Sequence, residues 1–132
     1  MPTEKFKTIV VAEDDLAMRE IITRKLSSQG FIVKGAEDGI KALELIKSEK
    51  PSLVLLDLMM PEMDGFGVLE ALRHNSNQDI AKTPVIVLSN LWSNEDILKV
   101  KAYSVAAYLV KAYFTPEEIL AKINEVLGNS NN

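Results

Sequence analysis

The stretch Leu53–Pro61, with the sequence LVLLDLMMP, decides the fold of this chain. An unbroken apolar run leads into a single carboxylate, Asp57, and turn residues follow soon after. A short continuous apolar run bounded by turn residues is typical of a strand that is buried on both faces of a parallel sheet. Asp57 then lies at the carboxyl end of that strand, on the edge where open α/β sheets place ligands. We therefore take Asp57 as the candidate functional centre.

Composition limits the classes of function. The chain has 132 residues, and we predict a single domain over 1–132, with a core at about 8–127 and a polar tail at 128–132. Without cysteine it can form neither disulfides nor a thiolate metal site, and a net charge of −4 argues against a general nucleic-acid binder. The sequence contains no signal-peptide core and no apolar run that could cross a bilayer. We expect a cytoplasmic protein without membrane insertion.

Strand and helix patterns alternate five times along the chain. Besides the central run, β-branched and apolar stretches predict strands at Thr8–Ala12, Phe31–Ala36, Pro84–Leu88 and Ala107–Val110. Amphipathic spacing predicts a helix after each strand. In the first helix the expected inner residues are Met18, Ile21, Ile22 and Leu26, with Arg19 on the outer face. Crossover helices between strands imply a parallel sheet with both faces covered, which is an α/β fold.

Local signals place the ends of several helices. Asp15, Ser93 and Thr115 are predicted to begin the first, fourth and fifth helices, because short oxygen-bearing side chains accept bonds from free N–H groups there. The polar segment His74–Lys82 is predicted to be a surface loop. His74, the only histidine, is interpreted as solvated, and Asp64 as part of a turn.

Polar side chains follow four of the predicted strands. They are Glu13 and Asp14 after the first, Asp57 on the third, Ser89 on the fourth and Lys111 on the fifth. A parallel sheet brings the carboxyl ends of its strands to one edge, with neighbouring strands only about 5 Å apart. Residues that are distant in sequence are therefore expected to form one site.

Four motifs in order carry a resemblance to a known family. VVAEDD at Val10–Asp15, LVLLDLMMPEMDG at Leu53–Gly65, VIVLSN at Val85–Asn90 and YLVK at Tyr108–Lys111 resemble the receiver domain of two-component response regulators. The match extends from about Thr8 to Leu127. It implies a flavodoxin-like, doubly wound sheet of five parallel strands in the order 2-1-3-4-5, with helices on both faces.

The resemblance also implies a role for each strand-end residue. Asp57 would be the phosphoacceptor, and Mg²⁺ would be held by Glu13, Asp14, Asp57 and the backbone carbonyl of Met59. Three carboxylates in one pocket repel one another, and a hard divalent cation with oxygen ligands relieves that repulsion. Aspartate can attack phosphorus to form an acyl phosphate, and Lys111 and Ser89 would contact the phosphoryl oxygens. Ser89 and Tyr108 would then change conformation together as the switch.

The function implied is a phosphorylation-controlled signalling switch, and not an enzyme beyond its own phosphorylation and dephosphorylation. Its partners would be a sensor histidine kinase or phosphotransfer protein and an unknown downstream protein target. The signalling face would be formed by the fourth helix, fifth strand and fifth helix. There Trp92, Tyr103 and Tyr113 are candidate contacts, with packing an equal alternative for each. The water that removes the phosphoryl group would pass Met59 and Leu91.

This sequence departs from the family pattern near the lysine. Ala112 follows Lys111 where a proline is usual, and Asn90 replaces a smaller residue after Ser89. Ser104-Val105 stands where Gly-Ala is common. These departures leave every catalytic group in place and concern the positioning of Lys111.

Three alternatives stay open on the sequence. A haloacid-dehalogenase-type phosphatase also uses a strand-end aspartate, but it needs a second one two residues later, where this chain has Met59. In a flavodoxin-like flavin protein, acids after the first strand would repel the flavin phosphate. The third alternative is a receiver-fold docking module that phosphorylation does not regulate.

Overall fold

The computed structural model describes residues 6–91 and 93–128, and it contains one parallel sheet. The strands are β1 (Thr8–Ala12), β2 (Ile32–Ala36), β3 (Leu53–Leu56), β4 (Val85–Ser89) and β5 (Ala107–Val110). Their order across the sheet is β2-β1-β3-β4-β5. Every residue of β3 and β4 is buried, as expected for central strands covered on both faces. The predicted fold class and strand order are confirmed.

Helices cover both faces of the sheet. They are α1 (Leu16–Ser28), α2 (Gly39–Glu49), α3 (Gly65–Arg73), α4 (Gln78–Ala81), α5 (Asn94–Lys101) and α6 (Pro116–Leu127), and a 3-10 helix, η1, spans Lys111–Tyr113. Buried residues of α1 and α6 pack in one apolar cluster, and those of α2, α3, α4 and α5 pack in another. The helices predicted as fourth and fifth are therefore α5 and α6.

The predicted surface loop at His74–Lys82 is wrong in part, because it contains α4. The Asn77 side chain caps this helix by accepting hydrogen bonds from Asp79 N at 2.9 Å and Ile80 N at 3.2 Å. Ile80 and Ala81 are buried against the core. A helix of four residues is too short to show an apolar period, so the surrounding polar residues dominate the sequence pattern.

The inner face of α1 is narrower than predicted. Ile22 and Leu26 are buried and Met18 packs beside them, but Ile21 is 49% exposed. The buried residues follow an i, i+4 spacing, and Ile21 lies about 100° away from Ile22 around the helix axis. Its apolar character alone does not place it in the core.

The predicted helix starts are confirmed. Asp15 Oδ1 accepts from Met18 N at 3.0 Å, and Ser93 Oγ accepts from Asp96 N at 3.1 Å. At α6 the pair Thr115 and Glu118 forms a reciprocal capping box. Asp64 caps α3, so its interpretation as local turn chemistry also holds. These caps fix how the chain leaves the sheet edge on which the polar residues lie.

Gly65 allows α3 to begin directly beside Asp57. A Cβ atom at this position would lie 2.5 Å from the backbone oxygen of Asp57, which is too close for any real side chain. At Gly67, in the same helix, the nearest atom to such a Cβ would be the flexible side chain of Met63. The sequence Asp64-Gly65 thus brings the helix and the site loop into backbone contact.

We expect Gly65→Ala to lower the free energy of unfolding by about 1–3 kcal/mol, because overpacking against backbone cannot be relieved by a rotamer change. Gly67→Ala is the matched control, and we expect it to be neutral or to stabilise by up to about 1 kcal/mol, since alanine favours a helix interior over glycine. Urea unfolding of both variants measures this difference. Equal destabilisation by the two substitutions would contradict the close approach at Gly65.

Candidate functional site

The register of the sheet brings three carboxylates together. β1 pairs with β3 so that Ala12 lies opposite Leu56, and Asp57 N donates to Ala12 O at 3.0 Å. The residues that follow these strands, Glu13 and Asp57, are therefore side by side. One oxygen from each of Glu13, Asp14 and Asp57 lies within 4.8 Å of the others. The predicted convergence of the strand-end acids is observed.

Lys111, which directly follows β5, bridges two of these acids. Its ammonium Nζ lies 2.7 Å from Asp57 Oδ2 and 2.6 Å from Glu13 Oε1. Val110 is the register partner of Ser89 in β4, so the lysine begins η1 at the same edge as the acids. The lysine side chain is 17% exposed, and water therefore screens these ion pairs only partly.

The electrostatics of the cluster follow from its burial. Burial raises the pKa of the Glu13 carboxyl, although its hydrogen bonds to Lys111 and to the Asp15 N–H act in the opposite direction. Burial also acts to lower the pKa of Lys111, but the hydrogen bonds to Asp57 and Glu13 together raise it above its ordinary value. The cluster holds three carboxylates, and the one ammonium pairs with only two of them, so the site favours a further cation. The carboxylate oxygens are the hard ligands that Mg²⁺ prefers.

The Asp57 carboxylate is held in place by its own loop. Asp57 is 6% exposed, and its Oδ1 accepts a hydrogen bond from Met59 N at 3.2 Å. An open groove runs beside the acids, with a lining that includes Asp14, Met59 and Leu91. The Met59 side chain is 61% exposed at this groove. The groove leaves Asp14, the exposed member of the acid cluster, open to solvent.

Ser89 and Tyr108 lie close to the cluster but are not bonded to it. The Ser89 side chain is buried, and its Oγ accepts from Leu91 N at 3.3 Å. The Tyr108 hydroxyl is buried and has no hydrogen-bond partner among the described residues. Burial raises the pKa of Tyr108, and the carboxylates of Asp96 and Asp57 add to that effect. A buried hydroxyl without a hydrogen-bond partner is costly.

Arg19 reaches the site although its predicted position was the outer face of α1. Its guanidinium Nη1 donates to the backbone oxygen of Glu13 at 2.6 Å. A Cβ atom at Gly35 in β2 would lie 3.2 Å from Arg19 Cδ, so the glycine leaves room for the arginine stem. The glycine within a predicted strand was the one sequence signal for this close approach.

The candidate output residues differ in their surroundings. Tyr103 donates a hydrogen bond through its hydroxyl to Glu70 Oε1 at 3.1 Å, and that bond raises its pKa. Tyr113 is 73% exposed. Trp92 lies outside the described residues.

The exposed His74 side chain is paired with Glu70, in agreement with the interpretation that it is solvated.

Comparison with known proteins identifies the class. Residues 9–124 match the family model described as the response regulator receiver domain, and the chain belongs to that family. It is 40% identical over 119 residues to the probable transcriptional regulator ycf27 of Porphyridium aerugineum, covering 90% of this chain and 47% of the relative. It is 38% identical over 119 residues to the response regulator MprA of Mycobacterium ulcerans, with 90% and 49% covered.

A solved structure agrees with the family assignment over a whole chain. The chemotaxis response regulator CheY4 of Vibrio cholerae superposes with a TM-score of 0.83 at 27% identity, covering 92% of this chain and 99% of that one. By contrast, the chain spans about half the length of the curated relatives it matches. Receiver domains are signalling switches and not conventional enzymes, so the phosphatase and flavin-protein alternatives are set aside.

Within residues 6–91 and 93–128, no helix combines the length and the apolar character needed to cross a bilayer.

Proposed function

We propose that this receiver domain accepts a phosphoryl group on Asp57 from a sensor histidine kinase or a phosphotransfer protein. The observation that carries the proposal is the Asp57 carboxylate itself, which is buried and bridged by Lys111 to Glu13. Asp14 lies beside it at the opening of the groove. A nucleophile, a fixed cation and an acidic pocket thus occupy one point of the sheet edge.

The chain's own residues account for the transfer. A carboxylate oxygen of Asp57 forms a bond to phosphorus while the bond from phosphorus to the donor's leaving atom breaks, and the leaving atom keeps the electron pair. The Lys111 ammonium, already 2.7 Å from the nucleophile, attracts the phosphoryl oxygens and offsets their charge. The backbone N–H of Met59 donates to the other carboxylate oxygen, Oδ1, at 3.2 Å and so holds the carboxylate in place.

The acid cluster also suits a magnesium ion. Glu13, Asp14 and Asp57 would hold it, with the backbone carbonyl of Met59 as a further oxygen ligand. When bound, Mg²⁺ supplies charge neutralisation for the phosphoryl oxygens and for the crowded carboxylates. The proximity of the three carboxylates supports this assignment.

The proposed phosphorylation is tested with acetyl phosphate and Mg²⁺, followed by intact mass measurement. We expect one phosphoryl adduct on the parent protein and none on Asp57→Ala. Asp15→Ala is the control, because Asp15 caps α1 and is not part of the acid cluster. A parent protein without a phosphoryl adduct would favour the docking-module alternative. An adduct on Asp57→Ala would show that another residue is the phosphoacceptor.

A magnesium site predicts a stability effect. We expect Mg²⁺ to raise the melting temperature of the parent, because it binds the folded state and relieves the repulsion among the acids. Asp14→Asn should reduce that rise and slow phosphorylation. Thermal unfolding with Mg²⁺ or EDTA measures the effect, and Asp38→Asn, at the cap of α2, is the control for loss of a surface charge. An equal Mg²⁺ response in Asp14→Asn and the parent would remove Asp14 from the site.

We further propose that the downstream partner is a protein that binds the face formed by α5, β5 and α6. Leu98 on α5 and Tyr113 in η1 are 68% and 73% exposed, which leaves apolar and aromatic surface available there. We keep the expectation that this partner is not nucleic acid, since the net charge of −4 opposes phosphate backbones.

Amide shifts in NMR spectra locate the responsive face. On addition of the phosphoryl mimic beryllofluoride with Mg²⁺, we expect the largest shifts in α5, β5 and α6, because a charge change at Asp57 is relayed through Ser89 and Tyr108. Asp57→Ala serves as the control that binds no mimic. Shifts confined to α2 and α3 would place the output face elsewhere.

A further inference from the structure

The 3-10 helix η1 carries Lys111 and is only three residues long. Its preceding residue, Val110, contributes no side-chain cap. The bond that closes the turn, from Phe114 N to Lys111 O, is 3.5 Å long, beyond the usual range for an N–H···O hydrogen bond. The first N–H groups of any helix also lack partners within it. Because η1 is only three residues long, a contact from outside it helps to fix the backbone of the lysine.

Asn90 supplies that contact from the neighbouring strand. It follows Ser89, the last residue of β4, and its side-chain Oδ1 accepts a hydrogen bond from Ala112 N at 3.0 Å. This N–H belongs to the peptide unit that joins Lys111 to Ala112. Fixing that peptide unit fixes the backbone from which the lysine side chain extends. A proline at position 112 would have no N–H to donate.

We propose that Asn90 is a positioning residue for Lys111. Its amide caps η1 across the sheet edge and holds the ammonium between Asp57 and Glu13, the arrangement measured at 2.7 and 2.6 Å. The expected effect on the phosphorylation rate rests on the proposed phosphorylation of Asp57. The hydrogen bond between Asn90 and Ala112 does not depend on that proposal. It also joins two of the departures from the family pattern, Asn90 and Ala112, in one hydrogen bond.

The expected effect is on the rate of phosphorylation more than on stability. Asn90 and Ala112 are both exposed, and one exposed neutral hydrogen bond contributes modestly to folding. Loss of the same bond lets Lys111 leave its position for part of the time. We expect Asn90→Ala to slow phosphorylation by acetyl phosphate about 3- to 10-fold with little change in melting temperature.

A double-mutant cycle tests the path of the effect. Asn90→Asp retains an acceptor oxygen, so its phosphorylation rate should stay near that of the parent. Ala112→Pro removes the donor, and in that background Asn90→Ala should cause no further decrease. NMR in Mg²⁺-free buffer provides a readout independent of phosphorylation. In Asn90→Ala the Ala112 amide should shift, and the Lys111 Cε signal should move towards that of Lys41, an exposed lysine on α2.

The outcomes separate this inference from the proposed function. An unchanged rate and unchanged Lys111 signal in Asn90→Ala would overturn the positioning role. A decrease of the same size in the Ala112→Pro background would show that Asn90 acts through another contact, which also overturns it. If the parent protein is not phosphorylated at all, the proposed function fails, and the Lys111 Cε signal still decides whether Asn90 positions the lysine.

Discussion

The double substitution Met59→Asn with Leu91→Gln is expected to shorten the lifetime of the phosphorylated protein about tenfold or more. An acyl phosphate is lost when water attacks phosphorus in line, opposite Asp57. Met59 and Leu91 both line the groove beside the acid cluster, so a water that enters through this groove meets their side chains. Neither side chain offers a strong hydrogen-bonding group, whereas asparagine and glutamine can orient a water, and positioning of that kind contributes a substantial rate factor.

Decay of the phosphorylated protein in Mg²⁺ buffer, followed by intact mass, measures this lifetime. The matched control is the apolar exchange Met59→Leu with Leu91→Met, which changes the shape of the groove without adding a hydrogen-bonding group. We expect the control to decay at nearly the parent rate. Equal decay of the parent and the polar double variant would show that these two positions do not govern access of water.

Replacing Arg73 by alanine is expected to lower the free energy of unfolding by about 2–4 kcal/mol, the largest stability effect that we predict. The Arg73 guanidinium joins the end of α3 to two distant segments through backbone oxygens. Its nitrogens donate at 2.7 Å to Tyr103 O, at 2.8 Å to Ala81 O and Thr83 O, and at 3.4 Å to Ser104 O. Burial lowers the pKa of Arg73, but an arginine remains charged at neutral pH.

The cost arises because truncation leaves several partly buried carbonyl oxygens without a donor. Arg73→Lys is expected to recover only part of it, since an ammonium lacks the planar fork that reaches several acceptors at once. Arg24→Ala, an exposed arginine on α1, is the control and should change stability by no more than about 0.5 kcal/mol. Urea unfolding gives the comparison, and similar values for Arg73→Ala and Arg24→Ala would refute the bridging role.

Much of the site could be predicted because its determinants are local. The apolar run that ends at Asp57 specifies a buried strand, and the acids after Ala12 follow another. Once the sheet is parallel, strand ends must meet at one edge, so Glu13, Asp57 and Lys111 had to converge. Helix caps such as Thr115 with Glu118 depend only on residues three apart, which makes them visible in the sequence.

Contacts to backbone oxygens could not be predicted in this way. Every residue carries a carbonyl group, so no pattern shows that Arg19 reaches Glu13 O or that Arg73 reaches Tyr103 O. The same holds for the N–H of Ala112, which is bonded to Asn90 across 22 positions of sequence.

The sequence by itself therefore determined the parallel α/β sheet and the chemical groups along its edge, because burial and periodicity are properties of short segments. The tertiary structure alone decided that Lys111 bridges Asp57 and Glu13, and that Asn90 holds the turn from which the lysine extends. Such contacts depend on strand register and on the path of the loops, which many distant residues set together.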